Sequence, residues 1–282
     1  MKKLVTLMIV ILTVAMTTLS FSACKKEKDE NKIYVGMECG YAPFNYTQTD
    51  DSNGAVKISN ANGYANGYDV MIAKKIAEET GKELVIVKYE FEALVNAVYT
   101  GSLDFIIAGM SPTAKRMQTI DFSNAYYESQ LVIVVRKDGD FANATSLSDF
   151  NGAKIVAQIG TFHDDALNNQ ASQHGIIRQI PMDTFPAMIN ALNTRAIDGY
   201  VAEEPGAIAD CAANDGLKYI PLVNNSTGFT ASAEEVQIAI GLKKGSEYKE
   251  IVNSALSKLD AKERLDMMTL ATTYSTGENV QN

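Results

Sequence analysis

Ala108-Gly-Met-Ser-Pro-Thr-Ala-Lys-Arg116 is the stretch from which the rest of the chain can be read. It follows Phe105-Ile-Ile107, a short apolar run that predicts a buried strand breaking at Gly109. A helical turn is expected from about Ser111. Ser111 can cap it, Pro112 suits its first position, and the amide hydrogens of that turn form a seat for an anion. Arg116 follows five residues on. If its guanidinium folds back over the same end, backbone donors and a bidentate fork converge on one carboxylate. Read as scaffold alone, the same residues are a plain cap and a solvated arginine, so the neighbouring segments have to decide.

Upstream, Lys2-Lys3, an apolar stretch over residues 4–19 and Phe21-Ser-Ala-Cys24 stand in the order of a secretory signal. The apolar stretch is near the lower limit for a membrane span and is diluted by Thr6, Thr13, Thr17 and Thr18, which favours removal over spanning. The cysteine after Ser-Ala resembles a bacterial lipoprotein box and implies a lipid on Cys24, although Phe21 stands where an aliphatic residue is usual. Residues 24–32 are almost all charged and read as a tether. Loss of residues 1–23 takes away two lysines and no acid, moving the net charge from −9 to −11. That balance argues against nucleic-acid binding.

The remaining length suffices for one large or two medium cores, and with no later run of spanning length the mature chain is expected to be soluble apart from its anchor. Of the three cysteines, Cys39 and Cys211 are far apart and are expected to be free thiols. His163 and His174 are the only histidines. Neither has a metal-ligand spacing, and both read as ordinary surface or helix residues. There is no P-loop, dinucleotide fingerprint or nucleophile-elbow serine, so no cofactor and no metal are expected.

Ile33-Tyr-Val-Gly36 alternates as a strand, and the turn Met37-Glu-Cys-Gly-Tyr-Ala-Pro-Phe44 leaves Glu38, Tyr41 and Phe44 at its carboxyl end. Residues 47–65 are polar and Gly/Asn-rich, predicting a loop or short hairpin. Residues 67–81 carry apolar side chains at 70, 72, 73, 76 and 77 and a closing glycine, an amphipathic helix. A strand over 83–88 and a helix over 91–100 follow. Strand and helix alternate, so the sheet should be largely parallel with helices on both faces, and ligands should gather beyond the strands' carboxyl ends. That places Glu38, Tyr41, Phe91 and the turn 109–116 in one region.

Tyr41-Ala-Pro-Phe44, Gly67-Tyr-Asp-Val70, residues 101–116 and Ile120-Asp-Phe-Ser-Asn-Ala-Tyr-Tyr127 together resemble the extracellular solute-binding proteins (family 3) of polar amino-acid ABC importers, over about residues 33–270. The resemblance implies an α/β, two-lobed periplasmic-binding-protein-like fold (type II), each lobe a mostly parallel sheet flanked by helices. Two crossing strands would join a lobe of residues 33–128 and 234–282 to a lobe of residues 129–233. It also implies a cleft that grips a free L-amino acid. Its carboxylate would be held by Arg116, Ser111 and the amides of Ser111 and Thr161, its ammonium by the Gly109 carbonyl, the Ser111 hydroxyl and Glu203. Met110, Gln158 and Phe162 join the expected site.

The acid that meets the ammonium is usually aspartate in this family. Here it is Glu203, one methylene longer, with Glu204 as a competitor. Tyr41 and Phe91 would sandwich the ligand's side-chain stem, and Glu38 beyond them favours a cationic tip; the alternative is that Glu38 only braces its turn. The implied partners are permease subunits of an ABC importer and the membrane through the N-terminal lipid, with the protein a monomer. Two other readings belong to the same fold: an enzyme like the cyclohexadienyl dehydratases, with Glu203 as general acid, and a ligand-sensing ectodomain. Residues 145–152, a short capped helix, residues 154–158, a strand, and helices over 182–194 and 246–271 complete the expected order, with a polar tail from Thr272.

Overall fold

The computed structural model describes residues 28–277, so the signal segment and Cys24 lie outside the described residues. The first part of the chain runs β1 (Lys32–Met37), β2 (Gly40–Tyr41), β3 (Asn45–Gln48), β4 (Val56–Lys57), β5 (Tyr64–Asn66), α1 (Tyr68–Thr80), β6 (Glu83–Lys88), α2 (Leu94–Tyr99), β7 (Phe105–Ile106), α3 (Ala114–Met117) and β8 (Ile120–Glu128). The second runs β9 (Leu131–Arg136), β10 (Lys154–Val156), α4 (Phe162–Gln170), β11 (Ile177–Arg178), α5 (Phe185–Asn193), β12 (Gly199–Glu203), α6 (Glu204–Ala213) and β13 (Leu217–Ile220). The last supplies α7 (Ala233–Val236), β14 (Gln237–Lys243), α8 (Tyr248–Ser257) and α9 (Ala261–Thr276).

Two five-stranded sheets form the two lobes, in the orders β6-β1-β7-β14-β8 and β11-β10-β12-β9-β13. Each is mixed. β1 pairs parallel with β7, and β10 with β11 and β12, as strand-helix-strand units demand. The crossing segments add antiparallel partners: β14 on β7 and β8, β9 on β12 and β13. The chain leaves the first sheet after Glu128 and returns at Gln237, and these two residues pair across β8 and β14. The Ser129 amide then donates to the Val236 carbonyl at 2.9 Å, so the two crossings are tied to each other.

Alternation of side chains along the strands sorts the core. Phe105 and Ile107 face one cluster while Ile106 and Ala108 face another, and Val132 and Val134 part in the same way from Leu131, Ile133 and Val135. Residues 47–65 do more than form a hairpin. They join Gly40 and Tyr41 in a four-stranded antiparallel sheet, β2-β3-β5-β4, because short strands hidden in a polar stretch find partners on both sides. Residues from Thr272, expected as a polar tail, are helical instead: α9 continues to Thr276 and closes on Gly277 in the left-handed conformation. Threonine hydroxyls at 269, 272 and 273 bond back to carbonyls four residues earlier, which suits a helix their composition did not suggest. In the same helix Met268 is buried, whereas Leu265 is 65% exposed.

Candidate functional site

β7 feeds the turn that carries Gly109, whose φ of +60° is open to glycine and whose missing side chain lets the Tyr41 ring approach. The Gly109 amide donates to the Tyr126 hydroxyl at 3.3 Å, and that hydroxyl donates to Asp69 Oδ1 at 2.6 Å. Asn45 Nδ2 holds the other Asp69 oxygen at 2.8 Å. Burial pushes the Asp69 carboxyl up to about 6, and its donors pull the other way.

The cap of the following turn differs from the sequence expectation. Thr113, not Ser111, caps α3, its hydroxyl accepting from the Arg116 amide. Pro112 disfavours a helical Ser111, and the Ser111 carbonyl instead receives Arg116 Nη1 at 2.7 Å. The guanidinium therefore does fold back. Its Nη2 donates to the Gly160 carbonyl of the other lobe at 2.8 Å, and its Cζ lies 5.3 Å from the Phe91 ring centroid. Burial lowers the Arg116 pKa to about 10, which leaves it charged at neutral pH. Those two bonds use two of its five donors, both on neutral carbonyls.

From the second lobe, Thr161 caps α4 by accepting from the Asp164 amide and donates its own proton to the Gln158 carbonyl at 2.6 Å. Gln158 Nε2 donates to Glu38 Oε2 at 2.6 Å and to the Asp183 carbonyl at 2.9 Å. Glu203, at the end of β12, receives the Tyr41 hydroxyl on Oε2 and His163 Nε2 on Oε1 at 2.8 Å. Glu204 turns away toward the Tyr219 hydroxyl.

Nine of the eleven residues expected from the sequence border one cavity: Tyr41, Phe91, Gly109, Ser111, Arg116, Gln158, Thr161, Phe162 and Glu203. Glu38 and Met110 do not. Met110 packs into the core of the first lobe, because alternation past β7 turns its side chain inward. Glu38 is one bond behind the wall, reached through Gln158. The cavity is narrow, about 10 Å³, and beyond Phe91 it gives way to grooves of about 310 and 370 Å³.

Two expectations change. The Tyr41 ring stacks on Phe44 and Phe185, with centroids 5.1 and 4.2 Å away, while Phe91 lies against Arg116, so the two rings serve different partners rather than forming a pair of jaws. His163, read as an ordinary residue, is only 4% exposed and borders the cavity. Its position two residues after the Thr161 cap, on the first turn of a helix that opens at a strand's end, was the signal available for it.

Arg116 with spare donors and Glu203 give the cavity one cation and one acid, with the buried Glu38 behind Gln158, a set suited to a small molecule bearing opposite charges. The comparisons agree with that chemistry. The chain is 26% identical over 269 residues to the arginine-binding extracellular protein ArtP of Bacillus subtilis, covering 95% of this chain and 96% of the relative. It is 24% identical over 267 residues to the histidine-binding periplasmic protein of Salmonella typhimurium, covering 93% of each. A crystal structure of an amino acid ABC transporter substrate-binding protein from Streptococcus pneumoniae, bound to L-arginine, superposes with a TM-score of 0.74 at 26% identity over 86% of this chain and 94% of that one. The family model of the bacterial extracellular solute-binding proteins, family 3, matches residues 33–270, and the chain belongs to that family.

Proposed function

We propose that this protein captures a free L-amino acid with a cationic side chain between its lobes and delivers it to the permease of an ABC importer. The observation that carries the reading is the charge arrangement of the cleft: Arg116 at one end, Glu203 beside it and Glu38 behind Gln158. The guanidinium with the Ser111 hydroxyl and the Ser111 and Thr161 amides takes the ligand's carboxylate. Glu203 and the Gly109 carbonyl take its ammonium. Glu38 attracts the cationic tip. Its Oε1 is buried without a hydrogen-bond partner among the described residues, and burial pushes its carboxyl up to about 7. A cation offsets the cost of ionising such a group. The relatives named for arginine and histidine support the same class.

In this reading residues 33–128 and 234–282 make one lobe and 129–233 the other. Residues 1–23 are removed, and a lipid on Cys24 holds a monomer at the outer face of the membrane through the tether. The protein binds its ligand rather than converting it.

A thermal-shift screen of the twenty amino acids and ornithine tests the reading, because a ligand of the folded form raises the melting point. Arginine, lysine, ornithine and histidine are expected to give the largest shifts. Glutamate or an aliphatic amino acid binding far more tightly than arginine overturns the basic specificity. Arg116→Ala should abolish every shift, and Glu38→Ala should change the ranking while leaving general recognition in place.

A further inference from the structure

His163 has no part in the reading above, yet it holds the residue on which that reading's ammonium contact depends. It stands second in α4, buried at 4% exposure and bordering the cavity. Its ring meets Phe185 edge-on at 6.2 Å between centroids. Nε2 lies 2.8 Å from Glu203 Oε1. An ionised carboxylate only accepts, so Nε2 carries the proton and donates it to this bond. The other carboxylate oxygen receives the Tyr41 hydroxyl. Nδ1 is buried without a partner among the described residues, so the ring's polar grip on the site runs through Nε2.

Glu203 has one more rotatable bond than an aspartate in its place. An unrestrained glutamate would sweep its charge across the cleft and lose rotamer freedom on meeting a ligand. Two buried donors, one on each oxygen and one from each lobe, remove that freedom beforehand, while each oxygen keeps a lone pair for a further donor. We infer that His163 is a positioning residue for the ligand's α-ammonium: its Nε2–H, opposed by the Tyr41 hydroxyl, pins the Glu203 carboxylate in the orientation that accepts the ammonium. This inference rests on the amino-acid reading and deepens it.

Calorimetry on the purified chain with L-arginine and with 5-guanidinopentanoic acid, which is arginine without its α-amino group, separates the possibilities. His163→Ala should weaken arginine about tenfold or more, the range for a hydrogen bond to a charged group, and leave the analogue's affinity unchanged. His163→Gln, whose amide offers a donor at nearly the same reach, should recover most of the loss. On a Glu203→Ala background, His163→Ala should add nothing. Equal losses for both ligands, no rescue by glutamine, or losses that add across the two positions each overturn the inference.

Nitrogen-15 NMR of the imidazoles gives a readout without ligand. The His163 Nε2–H resonance should be present in the wild type and move or vanish in Glu203→Ala, with His174 as the internal control. An Nε2 without a proton overturns the inference by itself. A wild-type protein that binds no amino acid overturns the functional reading and this one with it, and an intact Nε2–H signal then shows that the ligand assignment failed rather than the bond.

Discussion

At the scale of single residues, Glu38 is where charge, burial and specificity meet. Its carboxyl is raised from the ordinary 4.5 to about 7, chiefly by burial, while the Gln158 amide opposes the rise. The sign follows from which state holds the proton longer. Between about pH 4.5 and 7 the folded form keeps a proton that the unfolded form has released, so stability falls as pH rises through that window. Glu38→Gln stays neutral and can still accept from Gln158. It should therefore melt higher than the wild type at pH 8, by up to about 3 kcal/mol of stability, and nearly level with it at pH 4. Circular-dichroism melts at the two pH values check this, and a wild type that is the more stable protein at pH 8 contradicts it. Binding should follow the opposite slope. A cation beside Glu38 favours the carboxylate, so the affinity for arginine should rise from pH 6 to pH 8 in the wild type and change less in Glu38→Gln.

At the scale of elements, the α1 entry shows how a short motif is pinned by backbone. Gly67 precedes α1 with φ +121°, and the next two amides, of Tyr68 and Asp69, donate to the Pro43 and Phe44 carbonyls at 2.9 and 2.8 Å. A Cβ on residue 67 would sit 2.4 Å from the Phe44 carbonyl oxygen and 2.6 Å from that of Pro43. Gly67→Ala should thus cost about 3 kcal/mol or more, from strain in the backbone added to overpacking, with a loss under 1 kcal/mol in chemical denaturation counting against the argument. The consequence reaches the site, since Asp69 anchors Tyr126, which receives the Gly109 amide. A smaller effect is expected at the 3-10 turn Leu147–Phe150, where Asp149 Oδ2 receives both the Ser146 amide, at 2.9 Å, and the Ser146 hydroxyl, at 3.2 Å. Ser146→Ala should lower stability by about 1 kcal/mol and leave ligand affinity untouched.

For the whole molecule, three side-chain hydrogen bonds span the cleft among the described residues: Tyr41 to Glu203, Gln158 to Glu38 and Arg116 to the Gly160 carbonyl. The core itself bridges the lobes, one apolar cluster including Val35 and Phe105 from the first sheet, Val132 and Tyr200 from the second, and the Tyr41, Phe44 and Phe185 rings between. Each spanning bond uses a polar group that also serves the proposed ligand, whose own bonds can bridge the lobes where a side-chain bond is missing. Tyr41→Phe combined with Gln158→Ala removes two of the three. Small-angle scattering on this variant without ligand should show a larger radius of gyration than the wild type, and saturating arginine should bring it back. An unchanged radius would mean that the apolar bridge alone sets the distance between the lobes.

Local information was enough for a good part of this. The amphipathic period and closing glycine of residues 67–81 and the apolar run before Gly109 each depend on neighbours within a few positions, and they are where the sequence put them. Order along the chain likewise sufficed to bring Tyr41, Phe91 and the turn 109–116 to one place, whereas Gln158, Thr161, Phe162 and Glu203 came with the family resemblance. What the sequence alone left open is everything set by distant partners: the four strands within residues 38–66, the antiparallel half of each sheet, the cap that passed from Ser111 to Thr113, and above all His163, whose role comes from Glu203 forty residues later in the chain. A helix face or a turn is determined by the energies of adjacent residues, whereas a buried histidine acquires its partner only when two strand ends from different parts of the chain are folded against each other, and no spacing along the sequence records that distance.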